Sequence, residues 1–158
     1  MFMNLKYAFI IGIFALALCV MPAVSEPTEL YNGEVTLTDD LVTITTSQEE
    51  TFEIPAATPL GILELLFTEE AIESYVASSK SFEKKGILLL DGINGMLYSG
   101  DTTWFVTVDG YQLEDFVNNE TDGLNIYEIP VGAEVSYWYG LPILPIEEAE
   151  AVITVVTV

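Results

Sequence analysis

The chain has 158 residues, with 25 acidic side chains against 4 basic ones and a formal net charge of −21. A field of that sign repels nucleic acid and anionic membrane surfaces and keeps a protein soluble. Since 51% of the residues are hydrophobic and 11% aromatic, there is enough apolar surface to offset the entropy of ordering, and a folded domain is expected rather than a disordered one.

Histidine is absent and the single cysteine, Cys19, lies near the N-terminus. That removes Ser–His and Cys–His pairs, an imidazole base and a thiolate nucleophile in the body of the chain. The usual nitrogen and sulfur ligands for zinc or copper are missing too. No glycine-rich phosphate loop of the Walker or dinucleotide type occurs. Abundant carboxylates single out no acid–base pair, so a non-enzymatic protein without cofactor or metal is expected.

The first 25 residues have the build of a secretory signal peptide. Lys6 precedes an apolar run from Tyr7 to Val20, followed by Met21, Pro22 and the small-residue stretch Ala23-Val24-Ser25. Cleavage after Ser25 is expected, leaving residues 26–158 as one domain outside the cytoplasm. The alternatives are an uncleaved membrane anchor, which Pro22 cuts short of the roughly 20 apolar residues a span needs, and a lipoprotein through Cys19. The bulky Leu18 before that cysteine does not suit lipidation. Contact with a membrane is expected only through this segment.

Leu30 to Thr46 alternates with period two on either side of Asp39-Asp40 and predicts a β-hairpin. Ser47 to Glu50 reads as a polar loop and Thr51 to Pro55 as a short strand. Thr58-Pro59 opens a helix, because threonine caps and proline suits the first helical position. Leu60, Leu63, Leu66 and Phe67 supply its apolar stripe. From Thr68 to Ser81 the pattern leans helical to about Glu73 and is open beyond it, since Tyr75-Val76 suits a strand equally. Gly86 to Ile93 is a predicted strand, with Asp91-Gly92 and Asn94-Gly95 as turn dipeptides. Thr102 to Val108 is another, ending at Asp109-Gly110, the strongest hairpin signal in the chain, with Tyr111 to Phe116 returning. Asn118 to Gly123 is a polar loop. Val135 to Tyr139 is a strand, Leu141 to Pro145 a proline-bounded connector, and Ala151 to Val158 a closing strand. About eight strands and one main helix predict a β-rich α+β domain.

Several groups are candidate contact residues. Lys80, Lys84 and Lys85 make a local positive spot that would draw an anionic group; the plain alternative is a basic turn before a buried strand. Trp104-Phe105 and Tyr137-Trp138-Tyr139 lie in strands, with Tyr98 and Tyr111 beside turns. Successive strand side chains face opposite ways, so some of these aromatics are exposed unless both sheet faces are covered. Asn119-Glu120-Thr121 is a glycosylation triplet at Asn119. The acidic clusters Asp39-Asp40 and Glu147-Glu148-Ala149-Glu150 lack the alternating ligand spacing of a calcium loop and read as solvated charge.

The order of these motifs resembles a known family. TFEIPAATPLGILELLF looks like a strand-then-helix opening, and GILLLDGINGM like a strand running into an Ile-Asn-Gly turn. TTWFVTVDGYQ resembles a Trp strand ending in a Val-Asp-Gly turn, and IPVGAEVSYWY the strand that follows it. Together they resemble the transcobalamin-like C-terminal domain of exported bacterial and archaeal proteins. The flanks LYNGEVTLTDD and EEAEAVITVVTV look like the versions in methanogen surface proteins. The resemblance covers about Leu30 to Val158 and implies a β-grasp-like fold. In transcobalamin and intrinsic factor the related domain closes over one face of cobalamin, beside a separate helical domain. It therefore implies ligand-facing positions around Asn94, Gly95 and Met96 and along the Trp104 strand with Asp109 and Gly110, to which Tyr98 and Tyr111 are added as candidate ligand contacts because they are aromatics beside those turns. The expected function is an extracytoplasmic binding module for a corrinoid-like small molecule or a cell-surface protein or glycan. The alternative is a structural component of the cell envelope with no small-molecule ligand.

Overall fold

The computed structural model describes residues 26–113, 121–141 and 146–158. Within them the chain forms ten strands: β1 (Thr28–Val35), β2 (Leu41–Thr45), β3 (Thr51–Pro55), β4 (Tyr75–Ser78), β5 (Leu89–Ile93), β6 (Met96–Leu97), β7 (Thr103–Val108), β8 (Tyr111–Gln112), β9 (Glu134–Gly140) and β10 (Ala151–Thr157). Helix α1 spans Pro59–Thr68, α2 spans Phe82–Lys85, and a 3-10 turn covers Ile146–Glu148. The strands make a mixed five-stranded sheet in the order β1-β10-β9-β7-β8, a β2-β3 pair and a β4-β5-β6 sheet. The β-rich α+β class expected from the sequence is the one observed.

The expected hairpin over Leu30 to Thr46 does not form. β1 instead runs parallel to β10, Val35 opposite Thr157, while β2 pairs antiparallel with β3. Alternation tells which face of a strand is apolar but not which strand lies beside it. The reason for the exchange lies in β10, whose Ala151, Ile153 and Val155 are fully buried. A strand so deep in the sheet must satisfy backbone groups on both edges, and β1 and β9 do so.

Helix α1 begins as its residues dictate. The Thr58 hydroxyl accepts the Gly61 N–H at 3.2 Å and donates to the Pro55 carbonyl at 2.8 Å, with Pro59 at the first position. Leu60, Ile62, Leu63 and Leu66 are buried on its inner side. It stops at Thr68, short of the expected Glu73. Glu70 takes a left-handed φ of 57°, and the N–H groups of Ala71 and Ile72 return to the Leu66 carbonyl. That reversal buries Ile72 and sends Tyr75–Ser78 into a strand against β5.

Two further boundaries move. The strand expected from Gly86 starts at Leu89, because Phe82–Lys85 make the short helix α2, closed by Gly86 at φ 69°. Asp91-Gly92 is no turn: both residues lie within β5. The segments 114–116, 118–120 and 142–145 of the expected return strand, loop and connector, with Asn119 of the glycosylation triplet, fall outside the described residues.

One face of the five-stranded sheet carries Trp104, Val106, Val135, Tyr137, Tyr139 and Ile153 into a core shared with α1 and with β2 to β5. Phe105 and Val152 flank Trp138 on the opposite face and are also buried. Both faces are therefore covered at Trp104-Phe105, the alternative to an exposed aromatic that the sequence left open, and neither residue is exposed.

Three aromatic donors tie the layers together. The Tyr137 hydroxyl donates to the Pro59 carbonyl at 2.7 Å. Tyr139 donates to the Leu97 carbonyl and the Trp104 indole to the Met96 carbonyl, each at 2.8 Å. The last two pin β6 to the large sheet.

These buried phenols make stability sensitive to alkali. Burial pushes the ionisation of Tyr137 well above the ordinary value of 10.0. Tyr75 is raised too, by burial first and then by the Glu64 carboxylate that accepts its hydroxyl. Above pH 10 the unfolded chain loses protons that the folded chain keeps, so stability present below that pH falls as pH rises. For Tyr137 alone the slope tends to about 1.4 kcal/mol per pH unit. Denaturant midpoints measured between pH 8 and 11 should decline above 10, with a shallower decline in Tyr137→Phe.

Candidate functional site

A cleft of about 200 Å³ opens where β5 meets the start of β7. Leu89, Leu90 and Asp91 of β5 line one side and Thr103 and Trp104 of β7 the other; Lys80 and Tyr98 complete the wall. Trp104 is almost wholly enclosed, held by its bond to Met96 and by its ring packing 5.2 Å from that of Tyr139. It forms a fixed apolar wall. Tyr98 follows β6 and is 59% exposed, its backbone N–H bonded to the Asp91 carbonyl at 2.7 Å. Its ring is a surface that a ligand can cover.

Lys80 is placed by polar side chains of the β2–β3 turn. The Gln48 carbonyl oxygen accepts the Ser79 N–H at 2.7 Å, and the Ser79 hydroxyl donates to Glu50. Ser79 is thus buried one residue before the lysine. The Lys80 ammonium reaches out to the Asp91 carboxylate at 3.3 Å. The cleft therefore holds a cation and an anion side by side, with no net charge between them, on a protein whose overall charge is −21.

The expected contact residues divide into three groups. Lys80, Tyr98 and Trp104 come together in the cleft. Lys84 and Lys85 lie on α2, exposed, and do not line it. Asn94 and Gly95 form the β5–β6 turn with φ of 48° and 79°, at the far end of that hairpin. The Asn94 side-chain oxygen accepts the N–H groups of Glu73 and Ser74 at 2.8 and 3.1 Å. Met96 contributes its carbonyl to Trp104 rather than a side chain to the cleft. Asp109 and Gly110, at φ 48° and 77°, turn at the opposite end of β7 from Trp104, about 17 Å away at ~3.4 Å per strand residue. The Asp109 carboxylate accepts the Glu134 N–H at 2.9 Å, and the Tyr111 hydroxyl donates to Asp122 at 3.1 Å. The positions implied by the resemblance thus form no single surface.

Asn94 consequently serves the fold. Asn94→Ala should cost about 2 kcal/mol, from two lost bonds and a left-handed conformation that alanine tolerates less well. Urea unfolding checks the loss.

Sequence reading missed Leu89, Leu90, Asp91 and Thr103 as site residues. Asp91 offered a turn signal, and its partner Lys80 is eleven positions away, a spacing with no meaning before β4 and β5 are paired. Among the described residues no group of three or more acidic side chains is placed to hold a metal ion. No helix among them is long and apolar enough to cross a membrane. No family model, curated protein or solved structure matches this chain.

Proposed function

We propose that this chain is an extracytoplasmic, non-enzymatic binding module that presents the Lys80–Trp104 cleft to a small molecule or cell-surface partner. The observation that carries the reading is the convergence of Lys80, Tyr98 and Trp104 on one cleft from three separate elements. In this reading the apolar run Tyr7–Val20 directs export and residues 26–158 form the working domain, β-grasp-like and akin to the transcobalamin-like C-terminal domain. A mixed sheet with one main helix packed against its core side supports that kinship. A negative field of this strength argues against nucleic acid as partner.

A cleft of 200 Å³ is below the roughly 300–1,000 Å³ of sites that enclose drug-sized ligands. A corrinoid would be held by an edge only. Its test is a titration of the full chain with cobalamin, following Trp fluorescence and corrinoid absorbance. Saturable quenching abolished in Tyr98→Ala supports corrinoid capture; no change at high micromolar ligand sets corrinoids aside and moves the search to surface partners. Tyr98 is the variant to use because its ring is exposed, whereas Trp104 is part of the core.

A second reading, a structural envelope component, draws on a different observation. Asn94, Asp109 and the Trp104 indole are all engaged in bonds within the fold. An absence of any ligand at the cleft would favour it.

A further inference from the structure

We infer that the cleft takes a single neutral sugar unit of a surface glycan, an assignment that rests on the binding reading above and names its ligand class. Four features of the cleft bear on ligand chemistry. Its floor and one wall are apolar, from Leu90 and Trp104, both buried. Its rim carries the Tyr98 side chain, 59% exposed. Among the described residues the Tyr98 hydroxyl has no hydrogen-bond partner. Beside these sit Lys80 and Asp91 at 3.3 Å, with side chains 65% and 27% exposed.

An ammonium only donates and a carboxylate only accepts. A ligand group that bridges them must both accept and donate, as two neighbouring hydroxyls do. A pyranose also has a face of C–H groups that suits an aromatic ring, while its hydroxyls point to the edge. Ring face on Tyr98 and hydroxyl edge on Lys80 and Asp91 uses the aromatic rim and the charge pair of the cleft at once. The volume of about 200 Å³ suits one ring of this size.

Charge decides against the competing ligands. A simple anion gains little from a lysine whose charge is already matched, and it meets a chain of net charge −21. A zwitterion such as a free amino acid must prise Lys80 from Asp91 to reach both. A hydroxyl pair bridges them without separating the charges.

The test uses amide-resolved NMR spectra of the full chain with methyl glycosides of glucose, galactose, mannose and N-acetylglucosamine. The expected result is a saturable shift confined to residues 80, 89–91, 98, 103 and 104. Half-saturation should fall on the order of millimolar for so few ligand atoms. Tyr98→Ala should weaken it about tenfold, Tyr98→Phe much less, and Lys80→Met several-fold. These exposed positions leave the core intact, which the unperturbed remainder of each spectrum verifies. Binding indifferent to Tyr98→Ala overturns the assignment. So does tighter, salt-sensitive binding of methyl glucuronide or of free tyrosine. If cobalamin shifts the cleft signals and no glycoside does, the sugar assignment falls and the binding reading stands. If no glycoside, corrinoid or amino acid shifts them, the sugar assignment falls together with the small-molecule form of the binding reading.

Discussion

Tyr137→Ala should destabilise the protein by about 4 kcal/mol, the cost of emptying a large aromatic site in a close-packed core. Tyr137 is fully buried, lies in the middle of β9 between β7 and β10, and donates its hydroxyl to the Pro59 carbonyl. Two contributions can be separated. Tyr137→Phe keeps the ring and leaves the Pro59 carbonyl without its donor, which should cost about 1–2 kcal/mol. The difference between the two variants measures the packing of the ring. Urea unfolding followed by circular dichroism reads both, and a loss under 2 kcal/mol for alanine would mean that the core closes over the gap. The phenol ties β9 to the first residue of α1, so the alanine variant should also loosen the helix N-terminus.

Gly61→Ala should be destabilising by about 2 kcal/mol, although helix propensity alone favours alanine over glycine by about 1 kcal/mol. A methyl at Gly61 would sit 2.6 Å from the Ala56 carbonyl oxygen and closer still to that of Pro55. These are backbone atoms at the end of β3, and they cannot turn aside as a side chain can. Overpacking of this kind typically costs 1–3 kcal/mol. The substitution therefore separates local preference from tertiary contact with opposite signs. A raised midpoint in urea would show that the β3–α1 connection shifts freely to make room.

The same contest between local and long-range effects runs through the whole chain. The cap at Thr58-Pro59, the strands around Trp104 and Trp138 and the turn at Asp109-Gly110 were legible because each depends on neighbours within a few residues. The end of α1 was not. Glu69 and Glu70 suit a helix, and the chain leaves it only because Ile72 finds a buried place and Asn94, some twenty positions on, bonds Glu73 and Ser74. The hairpin expected at Asp39-Asp40 failed for a similar reason. Two adjacent alternating strands were present, but each found a better edge elsewhere.

Of the candidate site, the chemistry was legible and the grouping was not. Aromatic and basic residues stood out by type, including Lys80, Tyr98 and Trp104. Lys84 and Lys85 stood out equally and are elsewhere, because α2 carries them away from the cleft. Asp91 passed as a turn residue until β4 and β5, joined through α2, placed it against Lys80.

By itself the sequence determined the strong negative charge, the absence of imidazole and, beyond residue 25, of thiol chemistry, the β-rich class and the main helix start. These depend on composition or on contacts close along the chain. Only the tertiary structure decided that β1 joins β10, that both faces at Trp104-Phe105 are covered, and which three candidates share a cleft. Strand partners and converging side chains are chosen by the burial of the whole sheet, a sum over residues far apart that no local pattern contains.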